Sequence, residues 1–177
     1  MRVDALIQAG LPEESKIMKK GVGGRVELDQ KDRLLLSILQ NDASLSLVTI
    51  GGQLGLTKMA VSNRINALKE AGVLEGSHFR VNPQKVGQDY LLVSQVTCDV
   101  SGPEQEKVAS KIALIPGVQT VYLNFGPYDI LFIARRRDKE SAKDLLYNVS
   151  RINGIRNTLT MIPHTVIKES LETRLEP

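Results

Sequence analysis

The second half of the sequence alternates between strand patterns and helical patterns in the order β-α-β-β-α-β. The strand patterns occupy residues 90–100, 116–125, 128–137 and 154–167, and the helical patterns occupy 104–115 and 139–152. Pro163 cannot donate a ladder hydrogen bond, so it indicates an edge position or a bulge in the last strand. This order of elements predicts an α+β fold, a ferredoxin-like βαββαβ sandwich.

One strand of this predicted sheet is apolar on both of its faces. Ile130 and Phe132 point to one side of the strand, whereas Leu131 and Ile133 point to the other. Two helices can cover only one face of a four-stranded sheet. The other apolar face is buried most simply against a second copy of the chain, so we expect a homodimer formed by this domain.

Residues 28–82 contain three short helical patterns. The first lies in LDQKDRLLLSILQND, where Asp29 is suited to cap the helix and Leu35, Ile38 and Leu39 form an apolar stripe. The second lies in SLVTIGGQLGL. The third, TKMAVSNRINALKEAG, is capped by Thr57 and ended by Gly72. The alternating segment VLEGSHFRVNP then predicts a strand that leads out of this domain.

The stretch TIGGQLGL has the glycine content of a phosphate-binding loop. It fits neither GxGxxG nor GxxxxGK followed by Ser or Thr, and no strand pattern precedes it. Gly55 instead turns the chain between two helices. Gly51 and Gly52 each cost a helix roughly 1 kcal/mol relative to alanine. We expect Gly51 to permit close packing on the following helix and Gly52 to lie on the exposed side.

Two helices joined by a tight glycine-containing turn are typical of a helix-turn-helix motif. Between Thr57 and Lys69 the third pattern has the basic residues Lys58, Arg64 and Lys69 and no acidic residue. This composition suits DNA, although an ordinary solvated helix face has the same pattern. The net charge of +3 and the pI of about 9.0 agree with a polyanionic partner without locating its site.

The composition offers little for catalysis or metal binding. The two histidines, His78 and His164, and the single cysteine, Cys98, form no metal-ligand spacing and no disulfide framework. Cys98 alternates in phase with the apolar residues Leu92 and Val96, which indicates a buried thiol. The sequence contains no apolar run that could span a membrane and no secretory signal pattern. We therefore expect a soluble cytoplasmic protein without a cofactor.

Several motifs occur together in the order and spacing of one known family. They are LDQKDRLLLSILQNDASLS, GLTKMAVSNRINALKEAGVLEG and RVNPQKVG in the first half, and PGV, GPYDI and NGI in the second. With these motifs, residues 28 to about 170 strongly resemble the Lrp/AsnC (feast/famine) transcription regulators. The family often has Leu-Ala where this chain has Ile50-Gly51.

The resemblance implies a winged-helix-like helix-turn-helix domain followed by a dimerising, effector-sensing domain. The expected organisation is an extension at 1–27 that is partly helical or flexible, a DNA-binding domain at 28–75, a hinge strand and linker at 76–88, and an effector-sensing and oligomerisation domain at 89–177. It also implies that dimers assemble further to a tetramer or octamer, and that small amino acids bind between dimers.

The third helix then becomes the recognition helix in the major groove of double-stranded DNA. We expect side chains at five positions to face base edges: Lys58, Met59, Ser62, Asn63 and Asn66. Thr57, Arg64 and Lys69 are expected to hold phosphates. Two-fold symmetry predicts a pseudo-palindromic operator with half-sites roughly 10 bp apart.

The GPYDI motif is the expected effector-binding loop. Gly126 and Pro127 form a turn between two strands, and the turn alone explains why these two residue types occur there, without a role in ligand binding. The carboxylate of Asp129 is placed to receive the ammonium group of an amino acid, and Tyr128 to close the pocket.

The sequence is also compatible with two other functions. Some proteins similar to this family are sirohaem decarboxylases, although these tend to have extra histidines and a segment rich in Phe, Pro and Arg before the first motif helix. The glycines at 51 and 52 also leave open a co-regulator of the same fold that no longer binds DNA.

Overall fold

The computed structural model describes residues 24, 26–77, 79–170 and 172–175, and divides them into two compact units. We call residues 81–166 the sheet unit, and the described parts of residues 21–80 and 167–177 the helical unit. The expected extension at 1–27 lies almost entirely outside the described residues. The second domain, expected to reach residue 177, ends at Val166, because the C-terminal segment packs into the helical unit through Leu175.

The helical unit has three helices, α1 (Gln30–Asn41), α2 (Leu47–Leu54) and α3 (Lys58–Glu70). Each begins at a side-chain cap, supplied by Asp29, Ser46 and Thr57 respectively. The buried apolar side chains are Leu35, Leu36, Ile50, Leu54, Val61 and Leu68. Of the expected apolar stripe, Leu35 is buried, whereas Ile38 and Leu39 are only partly buried. Leu36, which was not part of the expected stripe, is buried as well.

The hinge strand expected near residues 76–82 is not formed. Residues 73–77 and 79–82 have no strand pairing, and a 3-10 turn follows at Gln84–Val86. Phe79 and Val81 are exposed. An alternating sequence becomes a strand only when a neighbouring strand supplies its hydrogen bonds, and no described segment of this chain does so here.

The sheet unit contains four strands and two helices in the predicted order. They are β1 (Tyr90–Cys98), α4 (Pro103–Ala113), β2 (Val118–Leu123), β3 (Ile130–Arg136), α5 (Lys139–Ser150) and β4 (Ile155–Met161). The strands pair antiparallel in the order β2-β3-β1-β4, which confirms the ferredoxin-like sandwich. The last strand is an edge strand and ends before Pro163.

The two faces of this sheet differ in their cover. Leu92, Val96, Ile130 and Phe132 are fully buried, and they form one core with α4 and α5. The opposite face, which we call the open sheet face, carries Leu91, Val93, Tyr122, Leu131, Ile133, Leu159 and Met161, all of which are half-buried or exposed. The apolar surface expected on both sides of β3 is therefore present, and the described residues cover only one side of it.

Candidate nucleic-acid interface

The turn between α2 and α3 is set by Gly55. Its backbone is left-handed (φ 62°, ψ 43°), a conformation that glycine adopts without steric cost. Its N–H and that of Leu56 both point to the carbonyl oxygen of Gly51. The hydroxyl of Thr57 then accepts a hydrogen bond from the N–H of Ala60 at 3.1 Å and starts α3. The expected turn and cap are both confirmed.

The two helical glycines have different surroundings. A Cβ atom on Gly51 would lie 2.5 Å from the carbonyl oxygen of Leu56, whereas a Cβ atom on Gly52 would meet nothing within 4 Å. Gly51 thus lets α2 approach the turn that leads into α3. Gly52 lies on the exposed side, as expected.

The outer face of α3 gathers the residues expected to face DNA bases. Lys58, Met59, Asn63 and Asn66 are exposed and Ser62 is half-buried, and Lys69 continues this face into the last turn. Met59 is 70% exposed, so its apolar side chain is accessible on this face. The opposite face of the helix buries Val61 and Leu68 in the core.

Arg64 lies on a different side of α3 and points to α1. Its Nη1 atom is 2.7 Å from an oxygen of Asp29 and 2.6 Å from an oxygen of Asp32. The other oxygens of these two carboxylates form the capping box of α1. The guanidinium of Arg64 thus joins α3 to α1, and the predicted contact of Arg64 with a phosphate stays a prediction.

The protonation properties of this cluster agree with its geometry. The N–H of Asp32, and after it the guanidinium of Arg64, lower the pKa of the Asp29 carboxyl. The carboxylates of Asp32 and Asp29 in turn raise the pKa of Arg64. Sequence reasoning missed this cluster because its members are separated by 32 and 35 residues.

The GPYDI loop is tied to its own unit by Asp129. One carboxylate oxygen accepts the N–H of Cys98 at 2.7 Å, and the other accepts the side-chain amide of Gln105 at 2.8 Å. Asp129 therefore holds this loop to β1 and α4, and its role as the acceptor of an effector's ammonium group stays a prediction. Tyr128 is half-buried and Gly126 is exposed beside it.

The Cys98 thiol is buried, as the sequence indicated. Its burial, and after that the negative charge of Asp129, raise the pKa of the thiol.

We predict that Asp129→Ala destabilises the sheet unit by about 1–3 kcal/mol, because it leaves two donors without an acceptor. Asp144, an exposed carboxylate on α5, provides the control, and its replacement by alanine should change stability by less than about 0.5 kcal/mol. Thermal unfolding of the full chain measures both. Equal melting temperatures for the two variants would show that the two hydrogen bonds accepted by Asp129 do not stabilise the sheet unit.

A polar cavity of about 240 Å³ lies elsewhere in the sheet unit and is lined by Gln88, Arg136, Arg137 and Ser141. The guanidinium of Arg136 donates to the backbone oxygens of Pro116 and Ser141. Both of these acceptors are neutral backbone carbonyl groups.

The fold and the exposed recognition helix define a helix-turn-helix transcription regulator with a separate ligand-binding domain. Residues 28–69 match the AsnC-type helix-turn-helix domain, and residues 93–173 match the Lrp/AsnC ligand binding domain. The HTH-type transcriptional regulator LrpA of Pyrococcus horikoshii is 32% identical over 146 residues, which are 82% of this chain and 99% of that protein. The chain belongs to the Lrp/AsnC family.

Solved structures share this architecture. Escherichia coli AsnC superposes with a TM-score of 0.73 at 22% identity, covering 86% of this chain and all of AsnC. A Neisseria meningitidis transcriptional regulator in complex with L-Met superposes with a TM-score of 0.77 at 19% identity, covering 82% of this chain and 95% of that one. At these identities the likeness concerns the fold. Among the described residues, no helix is long and apolar enough to cross a bilayer.

Proposed function

We propose that α3 reads base edges in the major groove through its exposed outer face. The observation that carries this proposal is the division of the helix into an apolar buried side and an exposed side that has no acidic residue before Glu70 at the end of the helix. Lys58, Ser62, Asn63 and Asn66 supply donors and acceptors for base edges, and Met59 supplies an apolar surface for a thymine methyl group. Thr57 and Lys69 contact phosphates, while Arg64 holds the helix in place.

Asn63→Ala tests this proposal. We expect the variant to lose about 1–3 kcal/mol of preference for the operator over random duplex, since the side chain is assigned to a base edge. Lys69→Ala is the matched variant and should weaken binding to both duplexes alike, with a salt slope lower by about one. Fluorescence anisotropy with both duplexes at several salt concentrations measures the effect. A uniform loss for Asn63→Ala would assign Asn63 to phosphates instead.

Two copies of the chain are proposed to pair through the open sheet face, with further assembly to a tetramer or octamer. The support is the row of apolar side chains on β1, β3 and β4 that the described part of the chain leaves uncovered. Paired copies present two recognition helices, which agrees with a pseudo-palindromic operator.

An amino acid is proposed as the effector that modulates DNA binding or assembly. A structural relative was solved with L-Met, and the match to a ligand-binding domain, over residues 93–173, covers most of the sheet unit. Gly126 and Tyr128 remain the proposed contact residues, with Asp129 shaping the loop. The polar cavity beside Arg136 is the other place where an amino-acid carboxylate would find a positive charge, since Arg137 is already paired with Asp138.

A thermal-shift screen of the amino acids identifies the effector, because a ligand of the folded state raises its melting temperature. Tyr128→Ala should remove the shift if the loop binds the ligand, and Arg137→Ala should leave it unchanged. The reverse result would assign the effector to the polar cavity.

We further propose that the protein regulates transcription in the cytoplasm and has no enzymatic activity of its own. The relatives with assigned names are transcriptional regulators, which supports this proposal. Incubation with sirohaem separates the alternatives, since a decarboxylase would change the spectrum of the tetrapyrrole and a regulator would not. A gel shift with the DNA upstream of its own coding sequence separates a regulator from a co-regulator that does not bind DNA.

A further inference from the structure

The C-terminal segment returns to the helical unit after the sheet unit is complete. The side-chain amide of Gln40 pairs with both backbone groups of Thr173: the N–H of Thr173 donates to Oε1 at 2.7 Å, and Nε2 donates to the Thr173 carbonyl oxygen at 3.0 Å. Leu175 packs against the apolar core of the same unit. The two hydrogen bonds join residues 133 positions apart in the chain and use the backbone of the segment.

The partner of this segment, α1, also holds the recognition helix. Gln40 lies at the C-terminal end of α1, while Asp29 and Asp32 at its N-terminal end bind Arg64 of α3. The α1 helix has 12 residues, buries Leu35 and Leu36 in the core, and links the two sets of contacts. Within the helical unit, polar contacts therefore join the C-terminal segment to one end of α1 and join α3 to the other end.

We propose that residues 172–175 act as a strap that positions α1, and through Arg64 the recognition helix, for binding to DNA. Gln40 is the positioning residue that receives the strap. The chain passes between the helical unit and the sheet unit twice, once before residue 81 and once after residue 166. The part of this inference that concerns DNA rests on the proposed function of α3.

Thr173 allows a sharp test because its contacts with Gln40 are made by the backbone alone. Thr173→Pro removes the donating N–H, whereas Thr173→Ala keeps both backbone groups and serves as the matched control. Gln40→Leu removes both hydrogen bonds from the other side. All three variants are studied as full chains by hydrogen exchange and by anisotropy with the upstream DNA.

The strap predicts that Thr173→Pro and Gln40→Leu lower the protection of amides 38–42 and weaken specific DNA binding by roughly five- to tenfold, the effect of losing about one hydrogen bond. Thr173→Ala should match the unaltered chain, and protection in β1 and β3 should stay the same in every variant. Combining Thr173→Pro with Gln40→Leu should add little further loss, because both remove the same contact.

Two results would overturn the inference. Equal exchange in Thr173→Pro and Thr173→Ala would mean that the strap does not hold α1. Faster exchange at 38–42 with unchanged DNA affinity would mean that the strap does not position α3. If the unaltered chain bound no DNA at all, the proposed function would fail, and the exchange data alone would still decide whether the strap holds α1.

Discussion

Ile133→Lys is expected to convert the protein into monomers and to weaken operator binding by at least roughly a hundredfold. Ile133 lies on the open sheet face, directly opposite Val93 of β1. In a dimer formed by this face, the new ammonium group would be buried in an apolar contact without a partner, at a cost that the interface cannot offset. A monomer engages only one half-site, and so loses the gain in affinity that comes from linking two of them.

Asn148→Lys is the control for this substitution. It adds the same charge to the same unit, on the exposed side of α5 and away from the open sheet face. Sedimentation equilibrium should give a dimer or a larger assembly for the unaltered chain and for Asn148→Lys, and a monomer for Ile133→Lys. An Ile133→Lys variant that remained dimeric and bound DNA normally would show that the copies pair elsewhere.

Alanine at the two helical glycines is expected to change stability in opposite directions. At Gly52 the added methyl group meets no atom, so the higher helix propensity of alanine should stabilise the helical unit by roughly 0.5–1 kcal/mol. At Gly51 the same gain is outweighed, because the methyl group would press on the carbonyl oxygen of Leu56 at 2.5 Å. Overpacking of this kind typically costs about 1–3 kcal/mol.

Chemical denaturation of the two single variants, followed by circular dichroism, measures this difference. We also expect Gly51→Ala to weaken DNA binding, because relief of the contact must displace the turn that begins α3. Gly52→Ala should leave DNA binding unchanged. If Gly51→Ala proved as stable as Gly52→Ala, the close approach of α2 to the turn would have no energetic importance.

Local signals in the sequence were sufficient for the helices, for the strands of the sheet unit and for the exposed face of α3. The caps at Asp29 and Thr57, the turn at Gly55 and the periodicity of α3 depend on residues within four positions of one another, so they can be read directly. The order of strands and helices predicted the sheet unit for the same reason.

The features that the sequence did not predict all depend on distant partners. Arg64 has the composition of a phosphate contact, and only the packing of α3 on α1 places it beside Asp29 and Asp32. Asp129 similarly meets Cys98 and Gln105 from two other elements. The alternating residues at 76–82 have the pattern of a strand, but the described chain offers them no neighbouring strand.

Hydroxyl-radical footprinting on the DNA upstream of the protein's own coding sequence tests the central claim most directly. A dimer that reads two major grooves with α3 should protect two half-sites related by pseudo-two-fold symmetry and spaced by about one helical turn, roughly 10 bp. Asn63→Ala should lose this pattern at concentrations where the unaltered chain retains it. Protection without a preferred sequence, or a footprint unchanged by Asn63→Ala, would contradict the assignment of α3 as the element that reads the operator.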